Sequence, residues 1–161
     1  MGCVPVTTVV ASVDHGCMAA DQRVTSEGAI CHVSKIVRIG DELYGIAGEV
    51  MPAFLFLEWV KSPKRKRETL HKMIDAEHRS NFSVLVLSDD GLSIMDGWGV
   101  KVPLLDESYG IGSGAAIALS HLRRGMKPWE AIGQSPELDE GSGLFGDPQV
   151  EFLVPQDLRG R

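Results

Sequence analysis

Thr7-Thr8-Val9-Val10-Ala11-Ser12-Val13-Asp14-His15-Gly16-Cys17-Met18-Ala19-Ala20-Asp21 is the stretch on which the reading of this chain turns. Val9 to Val13 is β-rich, Asp14-His15-Gly16 has turn chemistry, and Cys17 to Ala20 reads as the return strand of a hairpin. Partners in a tight hairpin are equidistant from the turn, so a turn centred near Asp14 places Thr7 opposite Asp21. Side chains alternate along a strand, which puts Thr8 on the other face. A threonine hydroxyl is a weak nucleophile unless a base stands beside it. A threonine at a chain terminus has such a base in its own α-amine, of pKa about 7.7–8.0. Met1 to Val6 stand ahead of Thr7, so chemistry of this kind requires their removal. Taken alone, two threonines at a strand start are explained by β propensity.

Outward from the hairpin, Thr25 to Gly28 reads as a turn, Cys31 to Ile39 as a strand, Gly40-Asp41-Glu42 as a turn and Leu43 to Ala47 as a strand. Glu49 to Val60 has helical periodicity, with Ala53, Leu57 and Val60 on one face and Phe54 and Phe56 flanking it. Ser62 to His78 is polar and holds the cationic run Lys64-Arg65-Lys66-Arg67, read as a solvated loop, with a short helix from Glu68 to Glu77. Strands are expected at Phe82 to Leu87, Leu92 to Asp96, Val100 to Leu105, Ser108 to Ile111 and Val150 to Val154. Helices are expected from Ala115 to Arg124 and after Pro128. Adjacent hairpins dominate and the helices come in pairs. That order argues an α+β sandwich of antiparallel sheets rather than a doubly wound parallel sheet.

The bulk composition narrows the function classes. The chain has 161 residues, 43% of them hydrophobic, and a net charge of −6, which fits a globular domain and does not suggest a nucleic-acid partner. No apolar run approaches the roughly 20 residues of a membrane span, and the start lacks the charged and apolar regions of a signal peptide. Cys3, Cys17 and Cys31 have no metal-type spacing and read as reduced packing thiols of a cytoplasmic protein. The five histidines show no ligand spacing, and neither metal nor cofactor is implied.

Five segments in order carry a resemblance: Thr7-Thr8-Val9-Val10, Ala19 to Thr25, Val33-Ser34-Lys35-Ile36, Gly45-Ile46-Ala47-Gly48 and Gly110-Ile111-Gly112-Ser113-Gly114. Together they resemble proteasome β-type subunits and the HslV peptidase, most of all compact bacterial or phage HslV-like proteins. The resemblance implies a four-layer αββα sandwich of the N-terminal-nucleophile (Ntn) hydrolase type. It divides the chain into an extension or propeptide, residues 1–6, and one domain, residues 7–161. It implies a threonine-type endopeptidase. Thr7 would be the nucleophile, with Asp21 and Lys35 as the buried acid and lysine beside it and Gly48 as the oxyanion donor. Ser113, Asp139 and Ser142 would support the terminal amine. Thr25 would pair with substrate backbone, and Val24, Val33, Val37, Ile46 and Val50 would line an apolar specificity pocket. The resemblance further implies a polypeptide substrate, a homo-oligomeric ring and an ATP-dependent unfoldase as partner.

The chain departs from that pattern at Val6, where self-processing precursors carry glycine. Two other readings therefore stand beside the first: a catalytically silent ring subunit that keeps Met1–Val6, and an amidase acting on a small molecule.

Overall fold

The computed structural model describes residues 8–26, 29–134 and 148–154; for 23–26, 29–31 and 134 it describes the backbone alone. Two antiparallel sheets lie face to face with helices on their outer sides. The first has the order β10-β1-β2-β11, built from β1 (Thr8–Ser12), β2 (Cys17–Ala20), β10 (Ser108–Gly112) and β11 (Gln149–Phe152). The second has the order β5-β6-β7-β8-β9, built from β5 (Ile36–Ile39), β6 (Glu42–Gly48), β7 (Phe82–Ser88), β8 (Gly91–Met95) and β9 (Val102–Pro103). A separate ribbon pairs β3 (Arg23–Ser26) with β4 (Ala29–His32). Helices α1 (Val50–Lys61) and α2 (Arg67–Met73) belong to the second sheet, and α3 (Ala115–Arg123) and α4 (Pro128–Gln134) to the first.

Side-chain alternation builds the layers. Val9 and Ala11 of β1, with Met18 and Ala20 of β2, face Leu43, Ala47, Leu85 and Leu87 between the sheets. Val10 and Ala19, of opposite parity, face Ala118, Leu122, Ala131 and Ile132 of α3 and α4. In the second sheet Tyr44, Ile46, Val84 and Val86 turn outward to Ala53, Phe56, Leu57 and Val60 of α1, a stripe at i, i+3, i+4 and i+7. Pro52 sits in the first turn of α1, where its missing N–H costs nothing. The expected αββα sandwich is thus the observed one.

Four local expectations are corrected. The first hairpin pairs Val9 with Ala20 and Ser12 with Cys17, and the Asp21 N–H donates to the Thr8 carbonyl at 3.2 Å. Thr8, not Thr7, therefore lies opposite Asp21. The turn takes four residues, Val13 to Gly16, closed by the Gly16 N–H on the Val13 carbonyl at 3.0 Å, and that moves the centre of symmetry by half a residue.

Second, the strand expected over Cys31 to Ile39 is broken at Val33–Lys35. The reason is that a side chain satisfies the backbone there: Gln149 Oε1 accepts from the N–H groups of Lys35 and Ile36 at 2.8 and 3.2 Å. Third, α2 stops at Met73, because Ile74 turns extended, and a 3-10 turn follows at Ala76–His78. The Arg79 guanidinium takes the carbonyls of Ile74 and His71, each at 2.8 Å. Fourth, Val100 to Leu105 contributes only the two-residue edge strand β9.

Candidate active site

The carboxyl end of β2 and the break before β5 bring Asp21 and Lys35 together at one end of the sandwich. Lys35 Nζ lies 3.1 Å from Asp21 Oδ1, and both side chains are almost wholly buried, 2% and 1% exposed. The same Asp21 oxygen accepts from the Thr8 backbone N–H at 2.8 Å. Burial pushes the Asp21 carboxyl above the ordinary carboxylate range, against the pull of the Lys35 ammonium and the Thr8 N–H. Asp21 Oδ2 is buried with no hydrogen-bond partner among the described residues.

Thr8 is fully buried, and its hydroxyl accepts from the Gly114 N–H at 3.0 Å. This contact ties the Gly112-Ser113-Gly114 turn, which links β10 to α3, to the first residue of β1. Ser113 is exposed at the tip of that turn. Thr7, Asp139 and Ser142, expected from the sequence to act here, lie outside the described residues, as does the extension 1–6.

Gly48 ends β6 with φ +109°, a conformation that L side chains rarely adopt. A Cβ there would stand 2.5 Å from the Asn81 carbonyl oxygen and 2.6 Å from Phe82 Cα. The next residue holds this bend: the Glu49 N–H donates to the Asn81 carbonyl at 2.9 Å, and the Glu49 carboxylate accepts from Asn81 Nδ2 at 3.2 Å and pairs with His78 Nδ1 at 2.9 Å. Gly48 and Lys35 border one small cavity of ≈ 10 Å³. Of the expected pocket residues, Val33, Ile46 and Val50 line it, joined by Ala53 and Phe54 of α1. Val37 does not; it packs into the apolar layer between the second sheet and α1. Val24 and Thr25 are placed on β3, with only their backbone described.

Sequence reading missed Phe54 and Ala53 as lining residues, although helical spacing from Val50 sets them on its side. It also missed Gln149, whose partners lie 113 to 115 residues away and leave no local signal. Among the described residues no group of three or more His, Cys, Asp or Glu could hold a metal ion, and no helix is long and apolar enough to cross a membrane.

The αββα sandwich has the architecture of the Ntn-hydrolase fold, and Lys35 and Asp21 pair beside the first residue of β1. No protein-family model and no curated protein sequence matches the chain. Solved structures do. BPH of Thiobacillus denitrificans in complex with epoxomicin matches with a TM-score of 0.69 at 20% identity, over 92% of this chain and 100% of that one. A second structure of Thiobacillus denitrificans BPH matches with a TM-score of 0.67 at 19% identity, over 93% of this chain and 99% of that one. Eukaryotic HslV from Trypanosoma brucei matches at 0.60 and 22%, over 89% and 97%. The likeness to HslV-like proteins read from the sequence therefore holds over most of the chain, at the level of the fold.

Proposed function

We propose that this chain is a threonine-type endopeptidase with Thr7 as its nucleophile. The observation that carries the reading is the shared Asp21 oxygen, which accepts from Lys35 Nζ and from the Thr8 N–H. The Thr8 nitrogen is bonded to the carbonyl carbon of Thr7, so the buried ion pair borders the peptide that joins the two threonines. The likeness in fold to BPH and HslV supports the same reading.

In this mechanism removal of Met1–Val6 frees the Thr7 α-amine. The Thr7 hydroxyl adds to a substrate carbonyl and its proton passes to that amine. The Lys35 ammonium favours loss of the hydroxyl proton, and Asp21 holds the ammonium in place. The oxyanion is met by the Gly48 N–H. The departing amine takes the proton and leaves a threonine ester, and water then attacks the ester, releases the acid and restores Thr7. Ser113, Asp139 and Ser142 orient the amine, and Thr25 pairs with the substrate backbone. The apolar side chains of Val33, Ile46 and Val50 beside Gly48 favour a hydrophobic side chain before the cleaved bond.

The reading includes a cytoplasmic homo-oligomeric ring that encloses the sites, and an ATP-dependent unfoldase that feeds it polypeptide. Exposed Trp98, Val100, Val102 and Leu105 are apolar surface that contacts between subunits would cover.

Intact mass and N-terminal sequencing of the purified chain test the reading first. A chain that begins at Thr7, hydrolyses apolar fluorogenic peptides and loses that activity on Thr7→Ala is the expected result. Such a chain also gains thermal stability with epoxomicin, the compound bound in the BPH structure. Val6 ahead of Thr7 favours a second reading, a silent ring subunit. Retention of Met1–Val6 with assembled rings and no hydrolysis would establish that reading and overturn the first.

A further inference from the structure

Lys35 is delivered to Asp21 by a segment that is neither strand nor helix. Val33 to Lys35 interrupts what the sequence reads as one strand, and such a break leaves backbone groups to be satisfied. Backbone partners meet part of it, the Val33 N–H donating to the Gln22 carbonyl and the Lys35 carbonyl accepting from Ile46, and one side chain from the opposite sheet meets another part. Gln149 Oε1 accepts from the N–H groups of Lys35 and Ile36 at 2.8 and 3.2 Å. Its Nε2 donates to the Ile36 carbonyl at 3.0 Å and to Ser34 Oγ at 2.7 Å. The Ser34 hydroxyl donates in turn to the same Ile36 carbonyl at 3.1 Å.

Both ends of the amide are thus used, and its orientation is determined, because only the oxygen can accept from two N–H groups. Gln149 is itself held at the start of β11, in register with Ala20, one residue before Asp21. Farther along, Arg38 of β5 donates to the carbonyls of Phe152 and Leu153, so β11 is tied to β5 at both ends. The residue that pairs beside Asp21 on one sheet therefore sets the backbone of Lys35 on the other.

We propose that Gln149 is a positioning residue for Lys35: its side-chain amide fixes the 34–36 backbone so that the lysine ammonium meets Asp21 and the start of β1. The proposal rests on the peptidase reading only for its kinetic consequence; the placement of Lys35 can be tested without it.

The test uses the full chain labelled with 13Cε and 15Nζ lysine, the Lys35 signal being assigned by its loss in Lys35→Arg. Gln149→Met keeps the length and removes every hydrogen bond; Gln149→Asn keeps the chemistry and shortens the reach. In either variant the Lys35 ammonium, displaced from Asp21 Oδ1, is expected to exchange its protons about ten-fold faster. Lys35 signals that superimpose on those of the unsubstituted chain, in whichever variant folds, overturn the proposal.

In the processed enzyme the same variants should lower kcat by about ten- to a hundred-fold with KM within about two-fold, because a displaced ammonium acts on the reacting hydroxyl rather than on substrate binding. A purely structural role would reduce the folded fraction and leave a pH–rate profile of unchanged shape, which also counts against the proposal. Absence of hydrolysis by the processed, unsubstituted chain overturns the peptidase reading alone, since the Lys35 signals still decide the role of Gln149.

Discussion

Among the described residues Asp21 has one oxygen with two donors and another with none, and this asymmetry sets what substitutions there will do. Removing the carboxylate leaves the Lys35 ammonium charged in a site only 2% exposed. Asp21→Ala should lower the free energy of unfolding by about 3–5 kcal/mol in denaturant titration. Adding Lys35→Met should recover a large part of that loss, a coupling that a double-mutant cycle measures directly. At Gly48 the limit is steric. Ala there combines φ +109° with a Cβ 2.5 Å from a backbone oxygen that cannot swing away. Gly48→Ala should cost about 1–3 kcal/mol in the same assay, and under the proposed mechanism it should abolish hydrolysis by moving the N–H proposed to meet the oxyanion.

At the scale of elements, the junction of β6 with α1 is braced from outside. Glu49 closes the bend after Gly48 and pairs with His78 of the 3-10 turn at 2.9 Å. The hydrogen bond that His78 Nδ1 donates to the Glu49 carboxylate raises the His78 pKa, with Glu77 and Asp75 adding to it. The folded-state value lies above the unfolded value of about 6.5, so the stability this pair contributes is fully present below about pH 6.5 and is lost as pH rises through the folded value. Histidine-observed NMR titration should give a His78 midpoint above 6.5 that moves down toward it in Glu49→Gln. Because His78 is well exposed, the accompanying change in stability is small and salt-sensitive. The two sheets approach closely at Gly45, where a Cβ would fall 2.6 Å from Val9 Cγ1 and 2.7 Å from Met18 Sδ. Gly45→Val would force the sheets apart, and the expected outcome is a drop in Tm larger than that of Gly133→Val in α4, where a Cβ meets nothing within 4 Å.

For the whole molecule, the inter-sheet layer and the layer beneath α1 share strands β6 and β7, whose residues alternate between them. Unfolding one layer therefore strips one face from the other. Leu85→Ala between the sheets and Leu57→Ala beneath α1 should each cost about 2–5 kcal/mol. Both should leave a single transition by near- and far-UV circular dichroism, whereas independent layers would give two.

Much of this was legible along the chain. Alternation in Val9-Val10-Ala11 and Met18-Ala19-Ala20, and helical spacing in Ala53, Phe56, Leu57 and Val60, determine which faces are buried, because burial follows the period of the local backbone. The paired hairpins and paired helices determine the layer order for the same reason. The residues Asp21, Lys35 and Gly48 could be picked out by their place in ordered segments. What only the tertiary structure decided is how those segments meet. The register of the first hairpin depends on whether three or four residues make its turn, and a half-residue shift exchanges Thr7 for Thr8 opposite Asp21. The end of the strand before Lys35 depends on Gln149, more than a hundred residues away, whose amide competes for backbone hydrogen bonds that local propensity assigns to a ladder. Val37 went to the core rather than the cavity because α1 packs over it. Local periodicity carries burial, but register, breaks and cavities are set by contacts between segments far apart in the chain.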